Sequence, residues 1–161
     1  MTGAGKEFYT VRGYELIKQA ENVLTPSMED YLEMAYRLSL RKEFVRISDL
    51  AEALNVQPSS ATKMVQKLAD MGFFKYEKYG VIEFTDIGNE TGRYLLKRHE
   101  TIENFLYLIG VRQCLLEDTE KIEHNISAET YSQISLLTEF LLINPSFLER
   151  FEAFIKAPRP E

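Results

Sequence analysis

Between residues 48 and 84 the hydrophobic period of the chain changes once, from helical to alternating, and that change restricts the available folds. Ser48 is a good N-cap for a short helix, Asp49–Leu54, which stops at Asn55, a residue tolerant of left-handed backbone. Val56-Gln57 turns the chain. Pro58 then opens a second helix, Ser59 to Met71, closed by Gly72. A short helix, a tight turn and a longer helix form the helix-turn-helix pattern. Phe74-Lys75-Tyr76-Glu77-Lys78, a Tyr79-Gly80 turn and Val81-Ile82-Glu83-Phe84 read as a β-hairpin. Helix-turn-helix plus hairpin is the winged-helix layout.

Helical signals flank this segment. Thr25-Pro26 reads as an N-cap with proline at the first helical position, Glu29 and Asp30 favour the first turn, and Tyr31, Leu32, Ala35 and Leu38 supply a stripe to about Leu40. Residues 1–24 form an extension with a loosely amphipathic stretch (Leu16, Ile17, Ala20, Val23, Leu24) that reads as a short helix without assigned chemistry. After the hairpin, Thr85-Asp86 caps a long helix to Ile109, stopped by Gly110. Gly88 and Gly92 leave it a flat face for close packing. Helices over about 112–126, 128–143 (capped by Ser127) and 146–156 complete the chain. The expected fold class is mainly α: an N-terminal winged helix-turn-helix domain (three helices plus a β-hairpin wing) over 25–92, then an all-helical domain over 93–161. Leu136, Leu137, Phe140, Leu141, Leu142, Phe147, Leu148, Phe151 and Phe154 exceed what so small a helical piece buries alone, so a homodimer interface is expected there.

The net charge of −6 looks wrong for a nucleic-acid binder until it is partitioned. Residues 25–98 carry eleven Lys or Arg and eleven Asp or Glu, whereas 99–161 carry five and eleven. All of the excess acidity lies in the C-terminal part. Attraction to phosphate in general should be weak, so affinity for double-stranded DNA would rest on placed contacts and dimerisation. On the second helix of the motif Ala61, Val65 and Leu68 form the buried side. Ser59, Ser60, Thr62, Lys63, Gln66 and Lys67 lie on the open side, with Gln57 in the preceding turn; Lys75 and Lys78 on the hairpin would be phosphate contacts. The competing reading of each is an ordinary solvated face.

No apolar run is long enough for a membrane span and the N-terminus has no signal core, so a cytoplasmic protein without membrane contact is expected. The lone Cys114, followed by Leu115 and Leu116, reads as a small buried hydrophobe.

Asp30-x-x-Glu33 and Glu120-x-x-Glu123-His124 each place oxygen or nitrogen ligands on one helix face, and His99 lies between them. Four carboxylates and two imidazoles suit a hard-to-borderline divalent cation rather than a soft thiolate metal. If these helices converge, the carboxylates repel one another, and two divalent cations would neutralise them. Taken singly, each string also reads as an exposed charged helix face.

Thr25-Pro-Ser-Met-Glu-Asp-Tyr-Leu-Glu33, Ile47-Ser-Asp-Leu-Ala-Glu-Ala-Leu-Asn-Val-Gln-Pro-Ser-Ser60, Thr62-Lys-Met-Val-Gln-Lys-Leu68 and Ile122-Glu-His124 closely resemble the diphtheria-toxin-repressor family, in particular its short branch of manganese transport regulators. The resemblance covers about residues 24–143. It implies a winged helix followed by a helical dimerisation domain, and it implies that Asp30, Glu33, His99, Glu120, Glu123 and His124 are regulatory metal ligands. Oxygen at 30 and 120, where the iron-responsive branch typically has methionine and cysteine, resembles the manganese branch. In that branch two ions share the site, with Glu33, Glu120 and Glu123 the candidates for bridging or sharing. The stretch from Gly110 to Glu120 is one residue shorter than the family pattern, which makes Glu117 the alternative to Glu120; Asn125 replaces a histidine that often follows.

The expectation is a homodimeric, Mn²⁺-sensing repressor of manganese uptake genes that binds two ions per subunit and a two-fold DNA operator, with no small-molecule substrate and no catalysis. Fe²⁺ in place of Mn²⁺ keeps the same mechanism. Two readings from other classes stand beside it: a dinuclear carboxylate metalloenzyme, which leaves the helix-turn-helix unexplained, and a winged-helix regulator answering to a non-metal ligand or protein partner.

Overall fold

The computed structural model describes residues 23–76 and 80–157. The expected N-terminal helix before Val23, Lys78 and the tip of the wing lie outside the described residues. The chain divides into two compact units between Leu96 and Lys97. Among the described residues no helix is long and apolar enough to cross a membrane.

The N-terminal unit begins with α1, Pro26–Ser39. Proline fixes the backbone for the first turn, and Thr25 stands extended before it, its carbonyl accepting from the Met28 and Glu29 amides. The Thr25 hydroxyl makes no cap bond. Met28, Tyr31, Leu32 and Ala35 are the buried stripe. A two-residue strand, β1 (Val45–Arg46), leads into α2 (Ile47–Ala53), and α3 runs from Pro58 to Asp70. Asn55 adopts φ 53°, and the Val56 amide returns to the Ala51 carbonyl, which makes the tight turn of the helix-turn-helix. Ala61, Val65 and Leu68 of α3 are fully buried, as their spacing requires. Gly72 ends α3 at φ 86°.

Strands β2 (Phe74–Tyr76) and β3 (Val81–Phe84) form the wing, with Phe74 opposite Phe84. The sheet has three strands in the order β1-β3-β2, Val45 lying opposite Ile82. Thr85 stitches the wing to α4 (Asp86–Leu108): its hydroxyl donates to the Gly72 carbonyl at 2.6 Å and accepts from the Gly88 amide at 3.1 Å. The flat face expected at Gly88 and Gly92 is real. A Cβ on Gly88 would sit 1.8 Å from the Phe73 carbonyl oxygen, and one on Gly92 would sit 2.7 Å from Tyr36 Cβ.

The start of α2 differs from expectation. It begins at Ile47, and Ser48 lies inside its first turn. The capping group is Asp49, whose carboxylate accepts from the Arg46 amide at 3.0 Å and from Lys42 Nζ at 2.7 Å. The Lys42 hydrogen bond, then the Arg46 amide, hold the Asp49 carboxyl below its ordinary value. A depressed carboxyl stabilises the fold above its unfolded pKa and loses that contribution as pH falls through the folded value. Asp49→Asn is therefore expected to lower stability by about 0.5–1 kcal/mol at neutral pH. Urea unfolding of both proteins across pH checks this: the gap should close at acid pH, and a pH-independent gap contradicts the role.

The C-terminal unit holds the rest of α4, then α5 (Leu115–Glu123), α6 (Ala128–Ile143) and α7 (Pro145–Lys156). Ile102 and Leu106 are its buried aliphatics; Thr119 and Thr138 are buried too, each hydroxyl donating to the carbonyl four residues back. Ser127 caps α6, accepting from the Thr130 amide at 3.2 Å. Helix α5 starts later than the expected residue 112. Gly110 takes φ 102°, and the Arg112 guanidinium donates to the Tyr107 and Val111 carbonyls, so this stretch closes α4 instead of opening α5. Cys114, expected to be buried, is exposed just before α5. Leu136, Leu137, Phe140 and Leu142 of α6 and Phe147, Phe151 and Phe154 of α7 are all exposed in the single chain.

Candidate metal centre and nucleic-acid interface

In the C-terminal unit, His99 on α4 and Glu123 at the end of α5 meet inside the protein. His99 is 6% exposed and Glu123 2%. His99 Nδ1 lies 3.1 Å from Glu123 Oε2 and 3.3 Å from Oε1. An anionic carboxylate has no reason to be buried without a cation or a hydrogen-bond donor beside it. An imidazole and a carboxylate held together in this way offer nitrogen and oxygen donors suited to a borderline or hard divalent ion. His124 follows at the C-cap, half-buried, its Nε2 at 3.7 Å from Glu123 Oε1.

Glu120 is exposed, one turn before Glu123 on α5, and shares its side of the helix by the three-residue spacing. Glu117 is exposed as well and is paired with Lys121, whose ammonium holds its carboxyl below the usual carboxylate range. Asn125 donates through Nδ2 to the Lys121 carbonyl at 2.6 Å, a local helix-end bond.

In the N-terminal unit, Asp30 and Glu33 lie one turn apart on α1, Asp30 exposed and Glu33 half-buried. Glu33 Oε1 accepts from Arg37 at 2.6 Å. Sequence reasoning passed over Arg37. The signal was there in the four-residue spacing from Glu33, which puts the two side chains on one face.

The outer side of α3 carries the predicted DNA contacts. Ser59, Ser60, Lys63, Gln66 and Lys67 are exposed, as are Gln57 at the N-cap and Lys75 on β2. The Gln57 side chain makes no cap bond. Thr62 is half-buried, and its hydroxyl donates to the Pro58 carbonyl at 2.8 Å, which leaves it only its acceptor capacity for a ligand.

A winged helix with a polar, basic outer helix face, in a chain whose helical unit buries a histidine–carboxylate pair, has the parts of a metal-responsive DNA-binding regulator. The chain belongs to the iron-dependent repressor family: residues 23–82 match its "Iron dependent repressor, N-terminal DNA binding domain" and residues 85–152 its "Iron dependent repressor, metal binding and dimerisation domain". It is thus a metal-dependent DNA-binding repressor and not an enzyme. It is 45% identical over 130 residues to the HTH-type transcriptional regulator MntR of Lysinibacillus sphaericus (strain C3-41), covering 80% of this chain and 94% of that protein. It is 42% identical over 138 residues to the regulator of the same name from Listeria welshimeri, covering 85% and 96%. Among solved structures, a manganese-dependent transcriptional repressor in complex with manganese is similar with TM-score 0.63 and 27% identity, covering 70% of this chain and 53% of that one. IdeR of T. acidophilum is similar with TM-score 0.58 and 26% identity over 66% of this chain and 51% of that one. This chain therefore spans about half the length of those two solved chains.

Proposed function

We propose that the protein is a manganese-responsive repressor of manganese uptake genes, acting in the cytoplasm as a homodimer on a two-fold operator. The observation that carries this reading is the buried His99–Glu123 pair in a unit of the metal-binding family, together with oxygen ligands at positions 30 and 120. The relatives named for manganese support the choice of ion. Asp30, Glu33, His99, Glu120, Glu123 and His124 are the proposed ligands, with room in their donor count for two ions per subunit. Glu120 is preferred to Glu117, whose carboxylate Lys121 already engages.

Asp30 and Glu33 belong to α1, whose Leu32 and Ala35 are buried in the core of the DNA-binding unit. The other four ligands belong to the helical unit. Bound divalent cations supply the positive charge that offsets repulsion among these carboxylates. Ligation by both sets restrains the recognition helix, Pro58–Asp70, relative to the dimer, and a two-fold operator rewards that restraint twice. The exposed apolar sides of α6 and α7 form the interface between subunits.

A gel shift with purified protein tests the reading. Operator binding is expected with Mn²⁺ and not with EDTA, and equal binding in both overturns it. Titrating Fe²⁺ and Zn²⁺ alongside, with metal content measured, tests the ion and the stoichiometry. Lys63→Ala is expected to weaken operator binding similarly on all sequences and reduce the salt slope by about one, with Mn²⁺ affinity unchanged. Loss of both activities would instead show a damaged fold.

A further inference from the structure

We infer that Arg37 is the resident counter-cation of Glu33 and sets the metal concentration at which the protein responds. The inference rests on the reading of Glu33 as a metal ligand. Arg37 stands four residues after Glu33 on α1, and its guanidinium donates to Glu33 Oε1 at 2.6 Å. The Glu33 side chain is 12% exposed and that of Arg37 35%. A guanidinium stays charged at every accessible pH, so this positive charge is permanent.

An ordinary surface ion pair holds two solvated groups and has little consequence. Two features set this one apart. The carboxylate is largely shielded from water, which strengthens the attraction and any repulsion in its neighbourhood. Moreover, Arg37 Nε is buried and has no hydrogen-bond partner among the described residues. A buried donor without an acceptor is costly, so the guanidinium is held at Glu33 in spite of its own unmet needs. It is also exposed enough to swing outward when Glu33 engages another cation.

Arg37 therefore has two effects on the same carboxylate. It neutralises Glu33 while no ion is bound, which favours the ion-free state. It also opposes an arriving divalent ion, which must displace the guanidinium or share Glu33 with it. Both effects raise the metal concentration needed for response.

The test measures Mn²⁺ binding to the full chain without DNA, by calorimetry or chelator competition, for wild type, Arg37→Gln, Arg37→Met, Arg37→Lys and Glu33→Gln. Circular dichroism verifies that each variant is folded. Arg37→Gln and Arg37→Met should bind Mn²⁺ about tenfold more tightly than wild type, and Arg37→Lys should remain within about twofold of it. Their operator-binding midpoints in Mn²⁺ should move in the same direction. If Glu33→Gln binds Mn²⁺ like wild type, the assignment of Glu33 as a ligand is wrong. If Glu33→Gln weakens binding while Arg37→Gln binds equally or less tightly than wild type, the role of Arg37 is wrong and the ligand assignment stands. A lysine variant that tightens as the glutamine does would show that charge is not the cause, and would also overturn the inference.

Discussion

Glu123→Gln is expected to lower Mn²⁺ affinity by at least about a hundredfold and to abolish metal-dependent operator binding, with the helical fold retained. The substitution keeps the shape of the side chain and can still hydrogen-bond His99 Nδ1, which sits 3.1 Å from the carboxylate. What it removes is the negative charge at the most deeply buried of the proposed ligands. Glutamine's neutral carbonyl is a far poorer partner for a divalent cation than a carboxylate. Alanine at this position mixes two effects, because it also removes the hydrogen bond between the carboxylate and the buried imidazole, a loss of about 1–3 kcal/mol. Equilibrium dialysis with metal analysis, beside thermal unfolding, separates them. Wild-type Mn²⁺ affinity in folded Glu123→Gln would remove this residue from the site.

Gly88→Ala is expected to destabilise the DNA-binding unit by about 3 kcal/mol or more. The added methyl would lie 1.8 Å from the Phe73 carbonyl oxygen and 2.8 Å from the Phe73 carbonyl carbon. These are backbone atoms, so no rotamer change relieves the overlap. The Phe73 carbonyl also accepts from the Thr85 amide at 3.2 Å, which ties the end of β3 to the turn after α3. Alanine gains about 1 kcal/mol of helix propensity over glycine, far less than the overlap costs. Gly92→Ala should be milder, since its shortest approach, 2.7 Å to Tyr36 Cβ, is a far smaller overlap than the 1.8 Å at Gly88, although that Cβ moves only with its backbone. Denaturant unfolding gives the comparison; a Gly88→Ala protein as stable as wild type would contradict the close approach of α4 to Phe73.

Periodicity revealed the parts of this fold that it controls directly. The buried triad of α3, the left-handed Asn55 and the Ser127 cap follow from local rules and sit where those rules put them. Strand β1 was not legible, because two residues carry no alternation and Val45 becomes a strand only by lying opposite Ile82. The start of α2 departs from its local signal for a related reason. Ser48 is a good cap in isolation, but Asp49, supported by Lys42 seven residues earlier, caps more effectively through the Arg46 amide. Cys114 is exposed despite the apolar residues that follow it, and Leu116, two residues on, is exposed with it. Within the site, the pairing of His99 with Glu123 depends on α4 and α5 folding against each other, and spacing alone gives no sign of it. The remaining proposed ligands rest on the helix-face spacing of Asp30 with Glu33 and of Glu120 with Glu123, and on the family to which the chain belongs.

The claim that metal and DNA binding are one coupled equilibrium is tested most directly by measuring Mn²⁺ affinity with and without saturating operator. Linkage requires the factor by which operator tightens Mn²⁺ binding to equal the factor by which Mn²⁺ tightens operator binding. Both are expected to be about 10–100-fold, the range typical of allosteric coupling. A Mn²⁺ affinity indifferent to operator would contradict the account, however tightly either ligand binds alone.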